Sequence, residues 1–210
     1  MSQTIELRCR CGQVEGSVSK ASPQTVTRVL CYCDDCQAFL HYLGRSELLD
    51  AHGGTDIIQI APAHLVFRSG ADQILGIRLS PKGMYRWYSG CCKTPLGNCM
   101  GPAIPFVGIV AQVFQQQEQR RDDTFGKSLG GILGKFAIGT PPPGSTSLNL
   151  GLLFRAIRSV LGWRLSGKTW PHPFFARETR APAYPLTTLS SAERDALRPL
   201  CGPHPAPTQA

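Results

Sequence analysis

The chain has 210 residues, of which 42% are hydrophobic and 17% are charged, and its formal net charge is +8. These values are typical of a globular protein with a buried core, and the length fits one domain with an extension better than two full domains. No segment predicts a membrane span, and the N-terminal residues lack the basic and apolar regions of a secretory signal, so we expect a cytoplasmic protein.

Short strands separated by glycine and proline dominate the first hundred residues. Alternating patterns and turn residues predict strands and hairpins over residues 4–19, 25–33, 55–62, 64–70, 73–80 and 84–92. The first of these segments is expected to form a β-hairpin with Cys9 and Cys11 at its tip. The last two are expected to pair with each other around the turn Ser80–Gly83. The fold class that these patterns indicate is mainly β.

After the first hundred residues the pattern changes. Residues 106–126 fit either a strand or a helix, and the glycine-rich residues 126–147, which include three consecutive prolines, predict a flexible loop. An amphipathic helix is predicted over residues 148–167 with Ser147 as its cap. A second, short helix with a serine cap is predicted over residues 190–200.

Three cysteine clusters contain seven of the nine cysteines of the chain. The clusters are Cys9-x-Cys11, Cys31-x-Cys33-x-x-Cys36 and the adjacent pair Cys91 and Cys92. A disulfide within C-x-C would be strained, and disulfides are rare in a reducing compartment, whereas closely spaced thiolates can point at one ion. The spacing therefore favours metal ligands over disulfides and over buried, unreactive thiols.

The number of thiols in each cluster distinguishes two kinds of zinc site. A structural zinc has four protein ligands, whereas a catalytic zinc has three and one exchangeable position. The middle cluster supplies three thiols, as a catalytic-type site does. Cys9 and Cys11 supply two and need a pair of partners, most naturally the third cluster. We therefore expect two Zn²⁺ sites.

Three segments, "CRCGQV", "CYCDDC" and "YRWYSGCCKTPLGN", resemble in this order the motifs of the glutathione-dependent formaldehyde-activating enzyme and centromere protein V family. The resemblance covers about residues 5–100. It implies a β-tent fold of short antiparallel sheets with one structural and one catalytic-type zinc site. The matching ligands are Cys9, Cys11 and Cys92 for the structural site and Cys31, Cys33 and Cys36 for the second site.

The third motif departs from the family pattern and leaves one ligand open. Ser89 stands where the family usually has the first cysteine of its last pair, and Cys91 lies beside Cys92 instead. Neighbouring residues in a strand point to opposite faces, so these two cysteines can share an ion only if the chain turns, as Gly90 allows. The fourth ligand of the first site is therefore Cys91, Ser89 or Cys99.

For the second site the resemblance implies chemistry on a thiol. Zinc would hold glutathione or a related thiol as a thiolate, which adds to a small aldehyde to give a hemithioacetal, and the reverse reaction would release it. The implied activity is that of a carbon–sulfur lyase in which the three cysteines act as ligands of the zinc. Tyr32 and Gln37 stand where the family commonly has histidine and arginine.

Charged residues near the second site have several possible roles. Asp34 and Asp35 could contact the amine of the substrate, but solvent exposure is the simpler interpretation. Arg28 or Arg45 is expected to offset the negative charge of a zinc with three thiolates. His41 is a less favoured candidate for a fourth ligand, which would close the site to a substrate.

A second function also fits the sequence. The chain could be a non-catalytic, zinc-stabilised module that binds an acidic partner through its basic C-terminal half, whether protein, nucleic acid or membrane surface. The predicted helix carries Arg155, Arg158 and Arg164. We favour the simpler interpretation that this helix covers a sheet edge or face with its arginines in solvent, and we give nucleic acid the least weight.

These expectations combine into a domain plan. It consists of a zinc-binding β-tent domain over residues 1–120, a connector rich in glycine and proline over 121–146, a helical extension over 147–200 and a disordered tail over 201–210. The sequence leaves the oligomeric state and the true substrate open.

Overall fold

The computed structural model of the protein describes residues 2–114 and 118–203, and within them the fold is mainly β. In chain order the strands β1 to β11 are Gln3–Arg8, Glu15–Ala21, Thr27–Cys31, Thr55–Ile60, Leu65–Ser69, Ile74–Arg78, Tyr85–Ser89, Pro95–Cys99, Val107–Val110, Gly131–Ile132 and Leu186–Thr188. The helices α1 to α4 are Asp34–Tyr42, Glu118–Phe125, Leu150–Leu165 and Ser191–Leu197. The predicted mainly β class with helices in the C-terminal part is confirmed.

The strands form two sheets. β1, β2 and β5 form a three-stranded antiparallel sheet, and the larger sheet has the order β10-β3-β4-β9-β8-β7-β6-β11. β10 runs parallel to β3, and β11 runs parallel to β6. Both outermost strands of the larger sheet therefore come from the C-terminal part of the chain. The helix predicted over residues 148–167 was expected to cover a sheet edge or face. Short strands occupy both edges of the larger sheet, whereas Leu152 of this helix packs against the sheet residues Val29, Ile57 and Val110.

The predicted hairpins are present in the structure. β1 pairs with β2 from Gln3 opposite Ala21 to Arg8 opposite Glu15, and β6 pairs with β7 in antiparallel register. β8 was not predicted, because its sequence "PLGNC" contains residues that are usual in turns. All five of its residues are nevertheless buried, so packing between β7 and β9 decides its conformation.

Helix α1 was also not predicted, and its unusual cap explains why. The thiol of Cys33 takes the place of the hydroxyl or carboxylate that usually caps a helix, and it accepts a hydrogen bond from the backbone N–H of Cys36. Asp34 and Asp35 in the first turn interact favourably with the positive end of the helix dipole. A strand was predicted to continue to Cys33, but β3 ends at Cys31 and the chain turns into a helix that begins at Asp34.

The core lies between the sheets and includes residues from the C-terminal half. Trp87 on β7 is fully buried, and its ring stacks on Phe174 with ring centroids 4.9 Å apart. Gly76 on β6 makes room for this tryptophan, because a Cβ there would lie 2.6 Å from the indole ring. Tyr184 contacts Trp87 edge-on. The residues after 170 are thus packed into the main core.

The C-terminal predictions have mixed outcomes. Residues 106–126 contain both a strand and a helix, and the predicted loop over 126–147 contains β10. Helix α3 is capped by Asn149, which accepts the N–H of Leu152 at 3.0 Å, so the expected cap at Ser147 is wrong. The serine cap of α4 is confirmed, since Ser190 and Glu193 form a reciprocal capping box.

Two further expectations concern the end of the chain and the membrane. Most of the predicted tail, residues 204–210, lies outside the described residues, whereas Cys201 and Gly202 are buried. Among the helices that the structure describes, none has the length and hydrophobicity to cross a bilayer.

Candidate metal centres

Four cysteine sulfurs converge beside the turn between β1 and β2. Cys9 and Cys11 lie in that turn, and Cys91 and Cys92 follow the end of β7. The Sγ atoms of Cys9 and Cys11 are 3.5 Å apart, those of Cys11 and Cys91 are 3.3 Å apart, and those of Cys91 and Cys92 are 3.9 Å apart. Tetrahedral zinc, with Zn–S bonds of about 2.3 Å, separates its sulfur ligands by about 3.8 Å. This first cysteine group therefore fits a four-thiolate metal site.

Two backbone turns bring these sulfurs together. Gly12 adopts a φ of 81°, and its N–H donates to the carbonyl of Cys9 at 3.0 Å. The N–H of Val14 donates to the Sγ atom of Cys9 at 3.3 Å. After the two adjacent cysteines, Lys93 adopts a left-handed φ of 56°. The chain turns there, so both adjacent thiols face the hairpin instead of alternating.

The structure places Cys91, and not Cys99 or Ser89, in the first group. Cys99 is fully buried elsewhere, and its sulfur accepts a hydrogen bond from the indole N–H of Trp87 at 3.4 Å. The hydroxyl of Ser89 lies 3.3 Å from the sulfur of Cys92 and forms a hydrogen bond with this thiol.

Hydrogen bonds polarise the adjacent thiols of the first group. Burial opposes ionisation of Cys92, but hydrogen bonds from Ser89 and Thr94 lower its pKa to about 5. Burial and the neighbouring thiol of Cys11 raise the pKa of Cys91 to about 12. The hydrogen bonds from Ser89 and Thr94 therefore favour the thiolate form of Cys92.

Three more sulfurs converge where β3 meets α1 and form the second cysteine group. Cys31 ends β3, Cys33 caps α1 and Cys36 lies in its first turn. The Sγ atoms of Cys31 and Cys33 are 3.4 Å apart, and all three sulfurs lie within 4.8 Å of one another. Within residues 2–114 and 118–203, no further cysteine, histidine, aspartate or glutamate joins this group, so His41 lies outside it.

A buried arginine lies against the second group. Arg86 on β7 has a side chain that is 2% exposed, and its Nη1 atom donates to the sulfur of Cys36 at 3.6 Å. Hydrogen bonds from Cys31 and Cys33, together with the charge of Arg86, hold the pKa of Cys36 well below its usual value in spite of burial. Arg86 therefore supplies the positive charge that the second group requires.

The two arginines expected to supply that charge bind carboxylates elsewhere. Arg28 pairs with Asp56 at 2.8 Å and also bonds to Asp122. Arg45 forms an ion pair with Glu47. The expectation that Arg28 or Arg45 offsets the charge of the three cysteines is therefore replaced by Arg86, whose place in an aromatic strand gave no such indication.

The two aspartates of the second motif face the C-terminal segment. Asp34 forms an ion pair with Arg198, and Asp35 lies 3.9 Å from both Arg198 and Arg86. Neither carboxylate is simply in solvent, and their guanidinium partners compete with a substrate amine. Their role in the structure is to fasten the segment after α4 to the start of α1.

The residues that differ from the family motifs connect the second group to the rest of the fold. The hydroxyl of Tyr32 donates to Asp50 at 3.1 Å. The fully buried amide of Gln37 donates to the carbonyls of Tyr32 at 2.7 Å and Phe136 at 2.8 Å, and it accepts the N–H of Gly202 at 2.9 Å. Gln37 therefore joins three separate segments beneath the cysteine loop.

An open, mainly apolar pocket of about 470 Å³ adjoins the hydrophobic cluster that contains Cys31 and Cys36, although none of the three cysteines is among its lining residues. Val29, Ile132 and Leu152 line it, and the same three residues pack in the hydrophobic cluster that contains Cys31 and Cys36. Polar residues lie at its rim, including Lys135 and Asn149. The volume is in the range of small-molecule sites. No sequence pattern indicates this pocket, because it depends on β10 and α3, which are distant from β3 in the chain.

A model of the family of unknown function DUF6151 matches residues 1–182. The match spans most of the 210 residues, and the chain therefore belongs to this family. The matched region includes both cysteine groups, β10 and α3. No curated protein matches the chain.

Proposed function

We propose that this member of the DUF6151 family binds two zinc ions and uses its second cysteine group as a carbon–sulfur lyase for adducts of a small thiol with an aldehyde. One observation carries the proposal. Four thiols converge in the first group, as in a closed structural site, whereas the described residues provide only three in the second. Two groups of this chemistry in one chain support a division between a structural and a catalytic-type site.

The ligands in this proposal are the residues of the two groups. The first zinc would be held by Cys9, Cys11, Cys91 and Cys92, and the second by Cys31, Cys33 and Cys36. When bound at the second group, zinc would lower the pKa of an added thiol and hold it as a thiolate at neutral pH. A reducing compartment, in which the cysteines stay reduced, is part of the proposal.

Arg86 supports this assignment through its charge. Zinc with three thiolates has a net negative charge, which would disfavour the approach of another thiolate. The buried guanidinium beside Cys36 balances that charge in a region of low dielectric, where Coulomb interactions are strong. The positive charge of Arg86 would thus favour binding of an added thiolate at the fourth position of the second zinc.

The proposed reaction is reversible and needs no oxidant. In the forward direction the thiol sulfur forms a bond with the carbonyl carbon of the aldehyde, and the proton of the thiol ends on the carbonyl oxygen. In the reverse direction the carbon–sulfur bond breaks and the proton returns to sulfur. The three cysteines would position the thiol through the bound zinc, beside the apolar side chains of Ile132 and Leu152.

The pocket indicates which part of the substrate the protein recognises. The organic body of the thiol adduct would lie along Val29, Ile132 and Leu152, with its sulfur toward the cysteines. Glutathione itself is highly charged, and Lys135 is the cationic residue in this pocket lining. The mainly apolar walls therefore favour adducts in which the thiol or the aldehyde has an apolar substituent.

Metal analysis is the first test. Freshly purified protein should contain about two zinc ions per chain, and Cys33→Ser should contain about one. Protein that is folded but free of metal in both forms would contradict the proposal, as would a disulfide between Cys31 and Cys36 in protein from a reducing cytosol.

Ligand binding and turnover form the second test. Zinc-loaded protein is titrated by calorimetry with glutathione and with an alkyl thiol, and exchange of each thiol with its formaldehyde adduct is followed by NMR. We expect exchange at least about tenfold faster than with Cys33→Ser. Ala156→Phe, which fills the pocket from α3, should weaken binding of the alkyl thiol while zinc content stays unchanged. Full zinc loading without thiol binding would leave a purely structural protein as the better account.

A further inference from the structure

Helix α3 presents an apolar stripe to solvent. None of its sixteen residues is buried. Leu150, Phe154, Ile157, Leu161 and Leu165 are spaced by three or four residues and so lie on one face, and they are 53–79% exposed. An isolated exposed leucine is ordinary, but five large apolar residues in a continuous row are typical of an interaction surface.

The stripe is held in a fixed orientation. On the opposite face of α3, the guanidinium of Arg155 donates to the carbonyl of Val26 at 2.8 Å and to Thr27 at 3.3 Å. Near the other end, Arg164 donates to the carbonyl of Ala103 at 2.8 Å. The expectation that the arginines of this helix are solvated is therefore wrong for Arg155, which is partly buried, whereas Arg164 is exposed. Together with Leu152, which packs against the cluster that contains Cys31, these contacts fix the helix with its apolar row exposed to solvent.

The surroundings of the stripe are positively charged. Residues 124–177 contain seven lysines and arginines and no aspartate or glutamate. At the C-terminal end of α3, an open cavity of about 570 Å³ is lined by Arg164, Arg177 and Arg180, with Trp170 beside them. Guanidinium groups around one cavity are suited to phosphate or carboxylate groups.

We propose that this face, the α3 stripe together with the three-arginine cavity, binds an anionic lipid surface. A helix that lies in a membrane interface has an apolar face in the acyl boundary and cations at the headgroups. The α3 stripe and the arginines of the cavity have this arrangement. The bound species would be the headgroup phosphate, in the cavity, and the outer acyl layer, on the stripe.

Charge argues against two other occupants. A second copy of the chain, placed on the stripe with two-fold symmetry and antiparallel helices, would bring Arg158, near the middle of α3, toward Arg158 of its partner. A nucleic acid would satisfy the arginines but would leave the apolar row in water. A lipid surface satisfies both features at once.

Vesicle flotation tests the proposal with the whole zinc-loaded protein. Wild-type protein should bind vesicles of phosphatidylcholine with about one third phosphatidylserine at least about tenfold more tightly than vesicles of phosphatidylcholine alone. The double variant F154S/I157S should lose about tenfold or more of this affinity, because both side chains are exposed and carry the apolar contact. R177Q/R180Q should lose the preference for the anionic lipid.

Matched controls separate a surface effect from a folding defect. V66S removes an exposed valine on β5, far in sequence from α3, and should bind as the wild type does. Equal binding of F154S/I157S and wild type would overturn the proposal. So would binding of neither vesicle, tighter binding of an oligonucleotide that F154S/I157S leaves unchanged, or a dimer in sedimentation that this variant converts to monomer. Failure here leaves the zinc and thiol assays unaffected, since these variants keep both cysteine groups.

Discussion

The guanidinium of Arg86 lies 3.6 Å from the sulfur of Cys36, and both side chains are buried in the same wall of the second cysteine group. A buried guanidinium is unfavourable unless a negative charge lies close to it. The carboxylate of Asp35 is 3.9 Å from Arg86, which is a long distance for an ion pair. The sulfur cluster is therefore the main counter-charge of Arg86, and each stabilises the charged state of the other.

Replacing Arg86 should weaken metal binding at the proposed second zinc site and leave the first site unchanged. Arg86→Met removes the charge next to Cys36, so the second group should lose its metal at moderate chelator concentration while the first keeps it. Zinc content should fall from about two to about one per chain. Arg28→Met is the matched control, a buried arginine paired with Asp56 that lies outside both groups. Equal zinc loss in both variants would show that general destabilisation is the cause.

The first cysteine group should carry much of the stability of the β1–β2 hairpin. Cys11→Ser breaks the proposed four-thiolate zinc site, and since metal binding and folding would be coupled there, the midpoint of thermal unfolding should fall by about 10 °C. Cys33→Ser should lower it less. Cys99→Ser, in a buried thiol outside both groups, controls for loss of a sulfur and should keep its zinc. An unchanged midpoint in Cys11→Ser would remove the structural role of this group.

Acid should destabilise the protein through His172. This side chain is 7% exposed among Trp170, Phe174 and Phe175, its Nδ1 atom accepts the N–H of Phe174 at 3.1 Å, and burial lowers its pKa to about 4. In the unfolded chain the pKa is about 6.5, so the unfolded state binds more protons between these values. The stabilisation is therefore complete above pH 6.5 and is lost as the pH falls toward 4.

The size of this effect can be measured by comparison with a variant. Between pH 7 and pH 5 the free energy of unfolding should fall by about 2 kcal/mol because of His172. His172→Asn keeps an acceptor for the N–H of Phe174 but cannot be protonated. Denaturant unfolding at both pH values should show that the free energy of unfolding of the variant falls by about 2 kcal/mol less than that of the wild type. Effects of acid on the cysteines are the same in both proteins and cancel in this comparison. Parallel pH profiles would refute the assignment.

Gln37 should be a stability determinant out of proportion to its size. Gln37→Leu leaves the carbonyls of Tyr32 and Phe136 and the N–H of Gly202 without their partner in a buried site, which should cost about 3 kcal/mol in the free energy of unfolding. Gln112→Leu is the control, because its amide donates a single bond of 3.4 Å to Leu48. Hydrogen exchange at Gly202 should rise in Gln37→Leu alone.

Local patterns in the sequence were sufficient for the first half of the fold. The β1–β2 and β6–β7 hairpins follow from alternation and turn residues, and the cap of α4 follows from Ser190 and Glu193. α1 could not be predicted in the same way, because its cap is a thiol and propensity rules assign caps to oxygen-bearing side chains.

The spacing of the cysteines was sufficient to predict the two thiol groups, but not the residues that surround them. The spacing separated a four-thiol group from a three-thiol group, and the fourth member, Cys91, was one of three open alternatives. Arg86, Gln37 and the pocket depend on contacts between segments 50 to 165 residues apart. The spacing of cysteines carries no information about such contacts.

The outermost strands β10 and β11, together with Arg198 and Gly202, have a consequence for synthesis on the ribosome. All of them are translated well after the loop that holds Cys31, Cys33 and Cys36. The nascent chain therefore displays reactive thiols, unpaired aspartates and open strand edges before the segments that cover them exist. The zinc proposed for the second group would protect those thiols during this interval, so we expect the yield of native protein to depend on the supply of zinc during synthesis.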